Sequence, residues 1–379
     1  MIVINSKTEC AGCSACVITC PKHCISWNTD NEGFKYPKVD DSICVDCHLC
    51  EKVCPISNHK DGGSDKVEQY AAYALDEYIR KQSSSGGIFS IISNYIIELG
   101  GCIYGAAFDD HFKLEHICVE KEDDLKLLRG SKYLQSDMND IFFDVKSKLA
   151  QGRKVLFSGS PCQVNGLLNY VGDNKNLLTV DFVCHGVPSP LIFAKYLDSF
   201  NDNKISQISF RNKKHGWKTY SVAIDYKNAT RYSKILTHDK YMQMFLRNII
   251  LRPSCYECKQ KHRSDITLAD YWDISKQHPN LNDDKGISKV LINTGKGKNA
   301  WQAISKNVKS VSDGYIKPIH QGNRTIPKNR EALFNSANDY SFDELYDKYV
   351  KRGIVYEFGN ILKGYTKIIL HKLHLYNIG

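Results

Sequence analysis

Cys10-Ala11-Gly12-Cys13-Ser14-Ala15-Cys16-Val17-Ile18-Thr19-Cys20-Pro21 decides how this chain begins, because its spacing returns as Cys44-Val45-Asp46-Cys47-His48-Leu49-Cys50-Glu51-Lys52-Val53-Cys54-Pro55, displaced by 34 residues. A C-x2-C-x2-C loop wraps three thiolates around one face of a 4Fe–4S cube, since each two-residue gap turns the chain tightly. The fourth cysteine, three residues on and before proline, reaches across to the other cluster. The spacing therefore predicts one cluster on Cys10, Cys13, Cys16 and Cys54, and a second on Cys44, Cys47, Cys50 and Cys20. The competing reading is a pair of structural zinc sites. Zinc more often takes two C-x-x-C pairs or cysteine mixed with histidine, and two complete runs favour iron–sulfur.

Working outward, Ile25, Trp27, Phe34, Tyr36 and Ile43 lie between the runs and can form a small water-excluding core. A module this short needs inorganic staples. Residues 1–62 are read as an α+β ferredoxin-like two-cluster domain that passes single electrons. Cys24 belongs to neither quartet and is read as a small buried residue. The polar, glycine-bearing stretch 59–66 suits a linker.

The chain has 379 residues, 42% of them hydrophobic and 25% charged, which leaves room for a second, larger domain. No window of roughly 18 to 20 uncharged apolar residues is present. The first residues lack the charged-then-apolar build of a secretory signal, so the expectation is a cytoplasmic protein. Its 15 cysteines then read as metal ligands or redox groups, not disulfides. The net charge of +9 suggests an anionic partner. Three clusters at about −2 each would bring it to roughly +3. Lysines and tyrosines are spread along the chain without a recognisable module, so nucleic acid is not an expected partner.

From Tyr70 onward the texture changes. An apolar helix at 88–99 precedes a strand at 101–108, a buried strand at 154–157 precedes a helix through Leu167 and Leu168, and a strand at 177–183 precedes a helix at 193–197. Strands alternating with helices predict an α/β domain with a mostly parallel or mixed sheet over residues 67–335. Its functional loops should follow the carboxyl ends of the strands. Residues 341–379 form a basic helical C-terminal segment. Its mixture of apolar and basic residues allows peripheral contact with an anionic membrane, although such helices more often pack on their own domain.

Several loops of the second domain carry candidate chemistry. Ser83-Ser84-Ser85-Gly86-Gly87 precedes the apolar helix, whose free N–H groups could receive a phosphate; a plain helix cap is the commoner use. Gly130-Ser131-Lys132-Tyr133 offers hydroxyls and a cation, or is a polar turn. Ser158-Gly159-Ser160-Pro161-Cys162-Gln163 lies between strand and helix, where α/β proteins place ligands. Cys162, Cys184, Cys255 and Cys258 could converge on a third cluster. Spacing alone leaves zinc, a redox dithiol and buried thiols open.

Together these loops resemble the beta subunit family of the coenzyme F420 hydrogenases and dehydrogenases. The resemblance also rests on Cys184-His185-Gly186-Val187-Pro188, Phe210-Arg211-Asn212-Lys213-Lys214-His215-Gly216-Trp217, Cys255-Tyr256-Glu257-Cys258 and residues 263–272, and covers about 70–330. It implies a flavoprotein with FAD beside an iron–sulfur cluster. Ser84, Ser85, Gly86, Gly87, Ser131, Lys132, Ser158, Gly159 and Ser160 would bind the flavin, and the four later cysteines a third 4Fe–4S cluster. Arg211 becomes a candidate anion contact and His215 a candidate proton donor by motif, though a histidine in a polar loop is more often structural.

The resulting expectation is an iron–sulfur flavoprotein oxidoreductase. It would relay electrons between its clusters, FAD and a small organic redox substrate, coenzyme F420 or another, with ferredoxin or another redox protein as partner. Similar bacterial chains with a fused ferredoxin suggest a surface-polysaccharide setting. The alternative is an electron-transfer subunit that serves a partner oxidoreductase and has no substrate of its own.

Overall fold

In the computed structural model the two cysteine runs fold as repeats of each other. Gly12 and Ser14 in the first run, and Asp46 and His48 at the matching places in the second, all adopt left-handed backbone conformations. Each such residue reverses the chain between cysteines. A five-residue helix follows in each copy, Ala15–Thr19 and Leu49–Val53. Both helices end at a cysteine in extended conformation, Cys20 and Cys54, as the residue before a proline prefers. That departure sends the fourth thiol away from its own run. Strands β1 (Ile25–Thr29) and β2 (Lys35–Val39) pair antiparallel between the two copies. The structure describes residues 1–60, 66–200, 205–319, 323–373 and 375. Residues 61–65 of the expected linker and 374 and 376–379 of the C-terminal segment lie outside them.

The remaining strands are β3 (Val67–Ala74), β4 (Cys102–Phe108), β5 (Leu114–Val119), β6 (Val155–Ser158), β7 (Leu177–Phe182), β8 (Ile205–Asn212), β9 (Ser221–Tyr226), β10 (Arg231–Ile235), β11 (Ile266–Asp270), β12 (Ser288–Ile292) and β13 (Val308–Ile316). Eight of them form one mixed sheet in the order β13-β3-β12-β11-β7-β6-β4-β5. The four consecutive strands β11, β7, β6 and β4 are parallel. Val155, Leu156 and Phe157 of β6 are all buried, as suits a central parallel strand covered on both faces.

Helices Ile88–Glu98 and Gly295–Ala303 cover one face of the sheet through Ile88, Ile92 and Trp301. Helices Ile141–Ala150 and Pro161–Val171 cover the other through Phe142, Val145, Val164 and Leu167. That second core also takes in Cys13, Ala15 and Val53 of the cysteine module, so module and sheet share one apolar interior. The strands and helices expected at 88–108, 154–168 and 177–197 are all present.

A second lobe inside the same region has less sequence signature. The antiparallel sheet β10-β9-β8 packs with helices Pro190–Asp198, Lys240–Leu246, Arg330–Asn335 and Phe342–Tyr349 around Phe210, Ile224, Tyr241 and Phe245. The segment from 341 therefore begins as part of a core, with Phe342 and Leu345 buried in it. Its last helix, Ile354–Lys372, rests on the fold through Gly364, beside Ile235 and His238, and through His371, bonded to Asp284 at 2.8 Å. Among the described residues no helix is long and apolar enough to cross a membrane.

Candidate functional site

The parallel strands place their carboxyl ends at one edge of the sheet, and a cavity of about 540 Å³ opens there. Its wall takes Ser158–Ser160 at the end of β6, Phe182–His185 at the end of β7 and Asp270 and Trp272 around the end of β11. The volume is that of a cofactor site. Of the residues expected to bind flavin, all but Gly86 line it.

Gly86 instead sits behind the serine–glycine loop, where an added Cβ would lie 2.4 Å from the Ala72 carbonyl oxygen. Gly87 turns the chain into the helix Ile88–Glu98 with φ +87°, which side chains rarely adopt. Ser85 Oγ donates to the Ile287 carbonyl at 2.8 Å, and the Ser131 amide donates to Ser84 Oγ at 2.6 Å. The loop is thereby pinned to β12 and to the second loop motif. The helix behind it presents an N-terminus without a side-chain cap, which favours an anion there.

The charged groups around the cavity are Lys132, Arg129, Arg211 and Arg324 against the carboxylates of Asp181 and Asp270. Lys132 Nζ donates to three backbone carbonyls, those of Leu128, Arg129 and Gly130, and burial holds its ammonium down to about 7. Arg211 is not a free anion contact as expected. Its guanidinium pairs with both Asp270 oxygens at 2.8 and 3.1 Å, donates to the Ser84 carbonyl at 3.2 Å and lies 4.0 Å over the Tyr220 ring. It ties three walls together and leaves a buried Nε without a partner.

His215 is not brought to the cavity wall. It lies in the turn after β8, where partial burial and the nearby Lys214, His371 and Lys372 hold its imidazole below the usual range. Two histidines that its motif does not contain line the cavity instead. His116 on β5 donates from Nε2 to the Ser158 carbonyl at 2.9 Å and stacks on Phe157, and burial holds it down to about 4. Its Nδ1 is buried without a partner, as is Nε2 of His185. Nothing in the sequence around His116 marks it, because its partner comes from a strand 42 residues away. At the open side Phe182, Val183, Leu246 and Trp272 expose large apolar surfaces. Trp272 stacks on Trp217 at 4.9 Å.

Three smaller voids gather the thiols. Cys10, Cys13, Cys16 and Cys54 line one, Cys20, Cys44, Cys47 and Cys50 another, and Cys162, Cys184, Cys255 and Cys258 a third of about 310 Å³. Cys24 borders the second, with its Sγ 3.3 Å from that of Cys20. Burial, then mutual repulsion, pushes the Cys255 thiol up to about 11, and Cys184 well above its ordinary value. Gathered thiolates of this kind need a cationic core, and the donor sets fit iron–sulfur clusters. Arg324 donates to the carbonyls of Cys184 and Cys255, each at 3.2 Å, and so fixes two of the loops.

Glu9, Ala11 and Ile56 border both the Cys10 void and the Cys162 void, and Cys162, Cys184 and Ala11 border both the Cys162 void and the large cavity. Arg252 stands where the cysteine module meets the second domain, fully buried. It donates to the Cys10 carbonyl at 2.7 Å, to the Lys35 carbonyl at 2.8 Å and to Gln135 at 3.0 Å, with Cys10 Sγ at 3.5 Å. Among the described residues no carboxylate pairs with it. An unpaired buried charge is costly, and an anionic cluster beside Cys10 would offset it.

Both regions of the chain match known protein families. Residues 152–313 match the family model for the C terminus of the coenzyme F420 hydrogenase/dehydrogenase beta subunit, and residues 69–142 match the model for its N-terminal part. Residues 9–58 match the 4Fe-4S dicluster domain. A coenzyme F420-dependent sulfite reductase of Methanocaldococcus jannaschii is 29% identical over 165 residues, which is 42% of this chain and 24% of that protein. The chain thus spans about a quarter of that relative. A 7Fe ferredoxin of Hydrogenibacillus schlegelii is 36% identical over 59 residues, 15% of this chain and 69% of that one. A chain of the F420-reducing NiFe hydrogenase complex from Methanosarcina barkeri superimposes with a TM-score of 0.45 at 17% identity, covering 76% of this chain and 91% of its own.

Proposed function

We propose, for a chain that belongs to the coenzyme F420 hydrogenase/dehydrogenase beta subunit family and carries a 4Fe-4S dicluster domain ahead of it, an iron–sulfur flavoprotein that exchanges electrons with a small organic redox substrate. FAD supplies the conversion between paired and single electrons, and clusters supply single-electron transfer. The observation that carries this reading is the series of sites with shared walls, from the Cys10 quartet through the Cys162 quartet to the large cavity, with Cys20 and Cys50 of the other quartet packed against Cys16 and Cys54 in one buried cluster.

In this reading the chain's own residues divide the work. Cys162, Cys184, Cys255 and Cys258 hold a third 4Fe–4S cluster. The helix N-terminus behind Gly87, with Ser84, Ser131 and Lys132, takes the anionic part of the flavin. A phosphate near Lys132 would return its ammonium toward its ordinary acidity. The turn Ser158–Ser160, held by His116, gives a small-residue surface for close approach. Trp272, Phe182 and Leu246 shield a planar ring and leave room for the organic partner. Arg211 acts as a positioning residue that joins β8, the end of β11 and the serine loop. His215 has no part in proton transfer here, since it does not reach the cavity.

Coenzyme F420 is the first substrate to test. Ferredoxin or another redox protein would meet the exposed side of the cysteine module near Cys47. Exposed Leu362, Tyr365 and Ile369 on the last helix, flanked by Lys363 and Lys367, are the surface for peripheral membrane contact. Liposome sedimentation of the full chain and of one ending at Gly353 tests this; equal binding discards it.

Protein matured and purified without oxygen should contain about twelve iron, matching sulfide and one flavin per chain. About eight iron without flavin would contradict the proposal. A second reading, a subunit that passes electrons to a partner, is favoured by the small share of the sulfite reductase that this chain matches. Turnover of an organic acceptor by the isolated chain, with reduced ferredoxin, NADH or reduced F420 as sole donor, excludes it; no turnover with any of them supports it.

A further inference from the structure

At the opposite end of β4 from the cavity, three groups come together that the electron path does not use. Gly105 and Ala106 of β4 border the cavity, whereas Cys102 opens the strand and is fully buried. On the neighbouring edge strand, Cys118 is half-buried, and Glu120 just beyond its end is exposed. The antiparallel register sets Tyr104 opposite Cys118. Alternate residues of a strand share a face, so Cys102, Tyr104, Cys118 and Glu120 project to the same side. The Sγ atoms of both cysteines and a Glu120 carboxylate oxygen all lie within 4.8 Å of one another.

We propose that Cys102, Cys118 and Glu120 form a binding site for a thiophilic divalent cation of the zinc class, separate from the iron–sulfur chain. Two sulfurs and a carboxylate oxygen are a donor set such an ion accepts, and tetrahedral bonds of about 2.0 to 2.3 Å draw ligand atoms to under about 4 Å from one another. The required movement is a small side-chain adjustment.

Glu120 is prepared for this role by its neighbours. Arg153 at 2.6 Å and Lys148 at 3.1 Å both donate to Oε1, which leaves Oε2 to face an ion. Two thiolates and a carboxylate exceed the charge of a divalent ion by one negative unit, and Arg153 and Lys148 more than offset that excess as outer-shell partners. Binding would release the two thiol protons to solvent. The half-exposed side at Cys118 gives an entry path and a fourth coordination position for water. The ion would clip edge strand β5 to β4, and through Lys148 to the helix Ile141–Ala150. A disulfide between the same cysteines would give Glu120 and its two cations no role.

The test uses the full chain with its clusters in place, equilibrated anaerobically with zinc sulfate and desalted, and then assayed for zinc and iron by mass spectrometry. The wild type should retain one zinc per chain, with two sulfur neighbours at about 2.3 Å in zinc-edge X-ray absorption. Cys118→Ser should retain at least tenfold less zinc, with iron unchanged as the report on folding. Glu120→Gln keeps both thiols and should bind zinc at least tenfold more weakly. Equal retention by wild type and either variant, no retained zinc in the wild type, or recovery of a Cys102–Cys118 disulfide from it would overturn the site.

Discussion

The cysteine module and the Cys162 site collect thiols in opposite ways. In the module, each run supplies three thiols over seven residues and turns on its own left-handed residues, so the site is written into local backbone. The other site draws Cys162 from the first turn of the helix after β6, Cys184 from the loop after β7, and Cys255 and Cys258 from a segment ahead of β11. It exists only because parallel strands β6 and β7 end side by side, where the segment carrying Cys255 and Cys258 meets them. The first kind of site is formed by its own short loops, and the second by separate segments brought together at the edge of a larger sheet. The difference sets how each should fail.

The largest effect should follow loss of a module thiol. Cys13→Ala removes a ligand whose residue also packs into the core shared with the sheet. Iron should fall from about twelve to about four per chain or below as the short module loses its staples. Cys258→Ala should leave about eight iron and a folded chain. Equal losses in the two variants would erase the contrast.

Arg252→Gln addresses the junction between the regions. Removing the buried cation there should destabilise docking by about 3 to 5 kcal/mol, measured by denaturant unfolding. It should also make reduction of the Cys10-side cluster harder in a redox titration followed by electron paramagnetic resonance. An unchanged potential would mean that the guanidinium answers to some other charge.

His116 gives a pH test on the sheet side alone. The histidine is held down to about 4 in the folded protein, against an ordinary value of 6.5, by burial. Above 6.5 both states are neutral and nothing changes. As pH falls from 6.5 toward 4, only the unfolded chain gains the proton, so stability falls, by up to about 3 kcal/mol. His116→Gln should flatten that part of the stability curve. An unaltered slope would show that the acid sensitivity comes from other groups.

A smaller effect separates tight from loose glycines. Gly86→Ala should cost about 1 to 3 kcal/mol and loosen flavin, because its Cβ meets the Ala72 carbonyl oxygen. Gly295→Ala, with no neighbour within 4 Å, should be neutral or stabilising by about 0.5 kcal/mol. Thermal melts and flavin content check both.

This contrast also explains what could be read from the sequence. The period of 34 residues, the crossed fourth cysteines and the strand–helix alternation at 88–108, 154–168 and 177–197 are local patterns, and local patterns survive in a linear string. The four late cysteines stand out as a set only through motif resemblance, and their meeting place depends on strand order. The β8–β10 lobe has little sequence signature, because Ser206, Gln207 and Ser209 interrupt apolar alternation in β8. His116, Arg252 and the Cys102–Cys118–Glu120 group gave no signal, since each depends on partners fixed by register or docking. His215 shows the converse: Arg211 lines the cavity and Lys213 braces the serine loop, while His215 itself lies near His371 and Lys372 of the last helix and outside the cavity wall.

The most direct measurement is a spin count on the dithionite-reduced protein by low-temperature electron paramagnetic resonance, wild type against Cys184→Ala, with iron measured on the same samples. The expected result is the loss of one cluster's worth of spin and of about four iron, with the dicluster signal intact. Identical spectra and iron in the two proteins would mean that the Cys162 quartet holds no cluster and that the electron path stops in the first domain.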